Sequence, residues 1–213
     1  MPRRMADQKF RDEQWRRRKA KHIAPINRLV DALRRQGANA RSVPYVAPMY
    51  GGIHARLLSV LRDPGPKTQP KDGSGFLSME NDDATAEMLS QLFEAAGIKA
   101  SDVVPWNVYP YFINRNPTPS ELEMGVPPLK RIIDLMPKLR VVMLHGQSAR
   151  DGWRRLVKAY PTLVADRALE VIATYHTSRQ AFRHPNAYVR EARKKHLADA
   201  FMQAARLLGK GSA

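Results

Sequence analysis

The chain has 213 residues, 43% hydrophobic and 26% charged, a globular composition long enough to bury a substantial core. It contains no cysteine, which excludes disulfides, thiolate zinc sites, cysteine-ligated iron–sulfur clusters and cysteine nucleophiles. A formal charge of +16 directs it towards polyanions, whether DNA, RNA or an acidic membrane surface.

Residues 1–22 hold nine Lys/Arg and three Asp/Glu and read as a polar helical arm. No apolar stretch follows the first basic residues as it would in a secretory signal, and no apolar run nears the roughly 20 residues that span a bilayer. A cytoplasmic location without membrane contact is therefore expected. The run Arg16-Arg17-Arg18-Lys19 reads equally as a solvated face or as a phosphate contact. Apolar positions at helical spacing predict a helix over 23–33, with Pro25 in its first turn and Gly37 as its stop. Residues 56–61 form an almost wholly apolar run, as in a strand buried on both faces. A helix over 83–97 begins under the cluster Asn81-Asp82-Asp83 and ends at Gly97. A proline-interrupted strand is predicted over 102–110, and a helix with prolines in its first turn over 126–139. Strands over 140–146 and 169–176 flank a helix over 148–160, and a long basic helix over 186–209 closes the chain.

This alternation predicts an α/β fold: a three-layer αβα sandwich with a central, mostly parallel four-stranded sheet. Residues 1–48 are expected to be a basic helical extension packing on the core, and 49–213 the α/β domain. In such folds ligands bind beyond the carboxyl ends of the strands, so the strand exits are where chemistry is sought. Those exits are Asp63-Pro64-Gly65-Pro66, Asn107, His145-Gly146-Gln147-Ser148 and His176-Thr177-Ser178. Lys67-Thr68 echoes a phosphate loop, but Pro66 and Leu61 stand where its two glycines belong. The six histidines include no H-x-x-x-H pair, and no G-x-S-x-G turn is present, so neither a metal site nor a serine nucleophile is expected.

Four blocks, in order, resemble the uracil-DNA glycosylase superfamily. The block "LRDPGP" (61–66) is similar to the family's first motif, with forms such as G-Q-D-P-Y and G-x-N-P-G. The block "GSGFLS" (73–78) resembles the segment that supplies a base-stacking phenylalanine. The block "VVPWNVYP" (103–110) resembles the strand delivering a uracil-reading asparagine, and "TYHTS" (174–178) the late H-P-S motif. The block "MLHGQSA" (143–149) is similar to the strand–glycine–helix element between them. Together they span about Arg56 to Ser178.

The resemblance implies hydrolysis of the N-glycosidic bond of uracil, or of another deaminated or 5-substituted base, in single- or double-stranded DNA. The base is flipped out of the helix and an abasic site is left. Asp63 would orient or activate water and stabilise the cationic sugar, and His176 would donate to uracil O2. Asn107 would read the base edge, Phe76 would stack on it, and Gly65 and Pro66 would line its pocket. Lys67, Gly146, Gln147, Ser148, Ser178, Arg179 and Gln180 would contact DNA, with Phe182 or the Arg179-Gln180 pair as candidate wedges. Each residue also has a plainer reading: Asp63 as a turn cap, His176 and Asn107 as loop ties, Phe76 as a core aromatic.

Two departures from the family pattern stand out. Gly65 occupies the position where strict uracil enzymes carry a methyl-blocking aromatic, and the late motif reads His-Thr-Ser. The absence of cysteine removes the cluster-bearing branches, so no cofactor is expected; a monomer is expected as well. The alternatives are a catalytically inactive nucleic-acid-binding protein on the same fold and a nucleoside hydrolase. The latter's small substrate would need no basic face.

Overall fold

Short apolar runs build the central sheet. The computed structural model describes residues 3–36 and 42–209. Four strands, β2 (Leu57–Leu61), β4 (Val103–Asn107), β5 (Val141–His145) and β6 (Glu170–Thr174), lie in the order β4-β2-β5-β6, and every pairing is parallel. Residues of β4 and β5 are buried throughout, which is why these strands read as continuous apolar runs. Strand β6 lies at one edge and alternates exposed and buried positions over its last three residues. Pro105 sits in the middle of β4, where it is tolerated because β4 is the other edge and pairs on one side only.

Helices cover the sheet as the three-layer sandwich requires. Helix α5 (Gln147–Ala159) packs on β5 and β2 with α4 (Pro119–Asp134) beside it, and α7 (Ala187–Gly209) packs on β5 and β6 with α3 (Ala84–Ala95) beside it. Gly125 of α4 and Gly152 of α5 both close on Val108. A Cβ on Gly125 would lie 1.9 Å from the Val108 carbonyl oxygen, and one on Gly152 1.7 Å from its Cγ2. The residue after β4 is thereby pinned beneath the two helices.

The structure corrects the expected start of α4. The helix begins at Pro119, not at 126, under a capping box in which Thr118 and Glu121 satisfy each other's backbone N–H groups. Pro127 and Pro128 therefore lie inside the helix. The carbonyls left without their helical donor belong to Glu123 and Met124, both exposed residues, so water can satisfy them. A short helix, α6 (Leu163–Asp166), and a two-stranded parallel ribbon of β1 (Tyr45–Val46) and β3 (Phe76–Leu77) are additional to the predicted elements.

The basic arm is integral to the packing. Helix α1 (Gln8–Arg17) starts at Asp7, whose carboxylate accepts from Lys9 N, and helix α2 (Ala24–Arg35) carries Pro25 in its first turn. The expected stop at Gly37 lies outside the described residues. Buried Asn27 of α2 presents its amide to Val46 as a strand would: Val46 N donates to Oδ1 at 3.0 Å and Nδ2 donates to Val46 O at 3.2 Å. Met5 N donates to Glu80 O at 2.9 Å, Arg3 pairs with Asp82 and Glu87, and Arg4 pairs with Glu80. Trp15 lies against Gly75, and its Nε1 donates to Ser74 O at 3.2 Å. The arm thus clamps residues 74–82, which follow the first strand exit.

Candidate active site

Strand β2 enters the sheet first, the chain adds β4 on one side of it, and it then crosses back to add β5 on the other. A crevice is expected at the carboxyl ends around such a reversal. A cavity of about 950 Å³ lies there, lined by Asp63, Asn107, His145 and His176 among others. The backbone brings the first two together: Leu61 is registered opposite Asn107, and pairing continues as Val108 N donates to Leu61 O and Tyr109 N to Arg62 O. On the other side Gly146 N donates to Thr174 O at 2.8 Å, which sets the exit of β5 beside the segment leading to His176. Gly146 has φ 85°, a left-handed conformation, and a Cβ there would stand 3.2 Å from that of His176.

Asn107 is almost wholly buried, and its Oδ1 accepts no hydrogen bond from the described residues. An unpaired amide oxygen held at a cavity wall is costly unless something it meets there can donate to it. His176 has its Nδ1 occupied, since Ser178 N donates to it at 3.0 Å. The neutral ring therefore carries its proton on Nε2 as a free donor. Burial pushes the His176 pKa down to about 4, with the Arg62 charge adding to the effect, so the ring is neutral near pH 7.

Asp63 has a side chain only 2% exposed. Its Oδ1 accepts from Arg62 Nε, and its Oδ2 accepts from Asn114 N at 2.9 Å. Asn114 stands at φ 53°, which asparagine tolerates better than most side chains. Its loop is anchored by Arg115, whose two Nη atoms each bond a Glu121 oxygen at 2.7 Å. That pair holds the Glu121 carboxyl down to about 2.

A model of the uracil DNA glycosylase superfamily matches residues 48–203. The chain belongs to the uracil DNA glycosylase superfamily. No curated protein matches it. Membership supports a DNA glycosylase kind of function, with DNA as substrate and base excision as the repair step served. Among the described residues no helix is long and apolar enough to cross a membrane.

Within this superfamily member, the expected site residues fall into two groups. Asp63, Gly65, Pro66, Lys67, Asn107, Gly146, Gln147, Ser148, His176, Ser178 and Gln180 all line the cavity. Arg179 is exposed beside it, at the start of a 3-10 turn. Phe76, expected to stack on the base, stands apart from the cavity in the free protein. Its ring is 0% exposed, packed against Trp15 at 4.8 Å and Tyr45 at 6.3 Å between centroids, and the cavity is lined instead by Leu77, Ser78 and Met79. Phe182 is also buried, so of the two wedge candidates only the Arg179-Gln180 pair is exposed.

Arg62, Asn114 and His145 belong to the site without any motif that marks them. The first two are ordinary loop residues until their contact with Asp63 is seen. His145 is buried at the cavity wall, where Nε2 lies 3.0 Å from Ser59 Oγ. Burial, with His176 nearby, pushes its pKa to about 3.

Proposed function

We propose that this glycosylase releases uracil, including 5-substituted uracils, from DNA after the nucleotide is flipped into the cavity. The observation that carries the reading is the buried, unpaired Asn107 Oδ1 acceptor at its wall, across from a His176 ring whose Nδ1 is already occupied and whose Nε2–H is left to donate. Uracil offers N3–H to the first and O2 to the second, while Asn107 Nδ2 donates to O4. Cytosine presents the opposite pattern at N3 and C4, and a site with buried polar groups left unpaired rejects it strongly.

Cleavage of the C1′–N1 bond sends the electron pair onto the base and leaves cationic character on the sugar. His176 stabilises the growing charge on O2, and a preorganised donor of this kind is worth about 3 kcal/mol. Asp63 stabilises the sugar and positions a water. The water oxygen bonds to C1′, and its proton leaves through the carboxylate. Lys67, Ser148, Ser178, Arg179 and the backbone N–H groups at the start of α5 hold the flanking phosphates. The extrusion of the base into the cavity follows the general solution for enzymes acting on a base.

Gly65 supports the extension to 5-substituted bases. It has an ordinary φ of −78°, and a Cβ there would meet nothing within 4 Å, so the fold itself does not require glycine. The space it leaves belongs to the cavity.

The test is base release from oligonucleotides carrying uracil, hydroxymethyluracil, a thymine mismatch or hypoxanthine, in single and double strands, with alkali to cleave abasic sites. Uracil and hydroxymethyluracil are expected to give product, and Gly65→Tyr to remove the second while keeping the first. Tight binding without product on any substrate would favour an inactive DNA-binding protein, a reading supported by the Arg62 contact that covers Asp63 in the free protein.

A further inference from the structure

Arg62 lines the cavity, and its side chain is 35% exposed. Its Nε bonds Asp63 Oδ1, and its Nη1 donates to Asn116 Oδ1 at 3.0 Å. A carboxylate covered in this way is a poor partner for a sugar cation. The reaction draws on net negative charge beside C1′, and a guanidinium in contact turns that charge into a dipole of short reach. The guanidinium end of this pair is open to solvent, and a guanidinium binds phosphate through a forked pair of charge-assisted hydrogen bonds. Lys67 lines the same cavity and is exposed, so phosphate is drawn to this side of the site.

We propose that Arg62 is a phosphate-operated positioning residue for Asp63. It covers the carboxylate in the free protein and turns to a phosphate flanking the flipped nucleotide in the complex. Asp63, still held at Oδ2 by Asn114 N, then faces the sugar uncovered. The anchor survives the exchange because the 114–116 loop is tied to α4 independently, through Arg115 and Glu121. The inference rests on the reading of Asp63 as the catalytic carboxylate.

The experiment compares the wild type with Arg62→Gln and Arg62→Lys in single turnover at saturating protein. The substrates carry the base that the wild type releases, with native linkages or with one neutral methylphosphonate 5′ or 3′ to that nucleotide. At one of the two linkages, neutralisation is expected to slow the wild type about tenfold. It should slow Arg62→Gln by less than twofold. Arg62→Lys, which keeps the charge, should keep most of the penalty.

Equal slowing of wild type and Arg62→Gln would overturn the proposal and leave Arg62 a structural residue. So would a wild-type saturated rate indifferent to both linkages, with only DNA affinity lost in the variant. Thermal melts confirm that the variants fold. Absence of base release by the wild type on every substrate would overturn the glycosylase reading itself, whereas release with equal slowing overturns only the role of Arg62.

Discussion

His176 can donate from one atom only, because the backbone of Ser178 already occupies Nδ1. With a pKa near 4 the ring stays neutral through the range where an ordinary histidine titrates. The acid limb of kcat/KM set by His176 is therefore expected near pH 4 instead of between 6 and 7. His176→Gln should lower kcat by about 10²-fold, the usual cost of one such donor. Stability responds in a related way. Both His145 and His176 have folded pKa values below 6.5, so the unfolded chain takes up protons first as pH falls. Stability is full above about 6.5 and is withdrawn down to about 4 for His176 and about 3 for His145. Chemical denaturation at pH 7 and pH 5 should show a loss on the order of 1–2 kcal/mol per histidine, reduced in His176→Gln by its own share.

Asp63, Asn107 and His176 each stand at or just beyond the end of an apolar run, so their place at the carboxyl ends of the sheet is legible in the sequence. Phe76 was not readable. Whether an aromatic faces a cavity or a core depends on its neighbours, here Trp15 and Tyr45, and both come from before the first central strand. The same holds for Arg62, whose meaning lies in the carboxylate it touches.

At the scale of elements, the helices with clean periodicity and caps appeared where spacing placed them, within a residue or two. The start of α4 did not, because the two prolines resembled a first turn more strongly than the Thr118–Glu121 box that precedes them. The β1–β3 ribbon is too short to leave a periodic signal; it exists because α2 and α1 hold it from either side. Helix α1 therefore shapes the site through Trp15. Trp15→Ala should destabilise the protein by about 2–3 kcal/mol, below the 3–5 typical of a fully buried aromatic, since Trp15 is only half-buried. Urea unfolding measures this. Base release is expected to fall as well, because the 74–82 segment beneath that ring forms part of the cavity wall.

For the whole molecule, strand–helix alternation carried the fold class, while strand order left no trace in the sequence because it depends on which crossover packs where. The net charge of +16 bears on DNA binding. The logarithm of the DNA association constant should fall linearly with the logarithm of salt, by about 0.9 for each duplex phosphate contacted. Lys67→Gln should make that slope shallower by about one unit in anisotropy titrations, whereas a lysine without phosphate contact would leave it unchanged.

The most direct measurement is the identity of the product released from a uracil-containing duplex in a single turnover, read by mass spectrometry, with Asn107→Asp run beside the wild type. Free uracil and an abasic strand are expected from the wild type, and from the variant a loss of uracil release with cytosine appearing from a cytosine duplex. Binding without any free base, or a variant whose rate and base preference match the wild type, would contradict this.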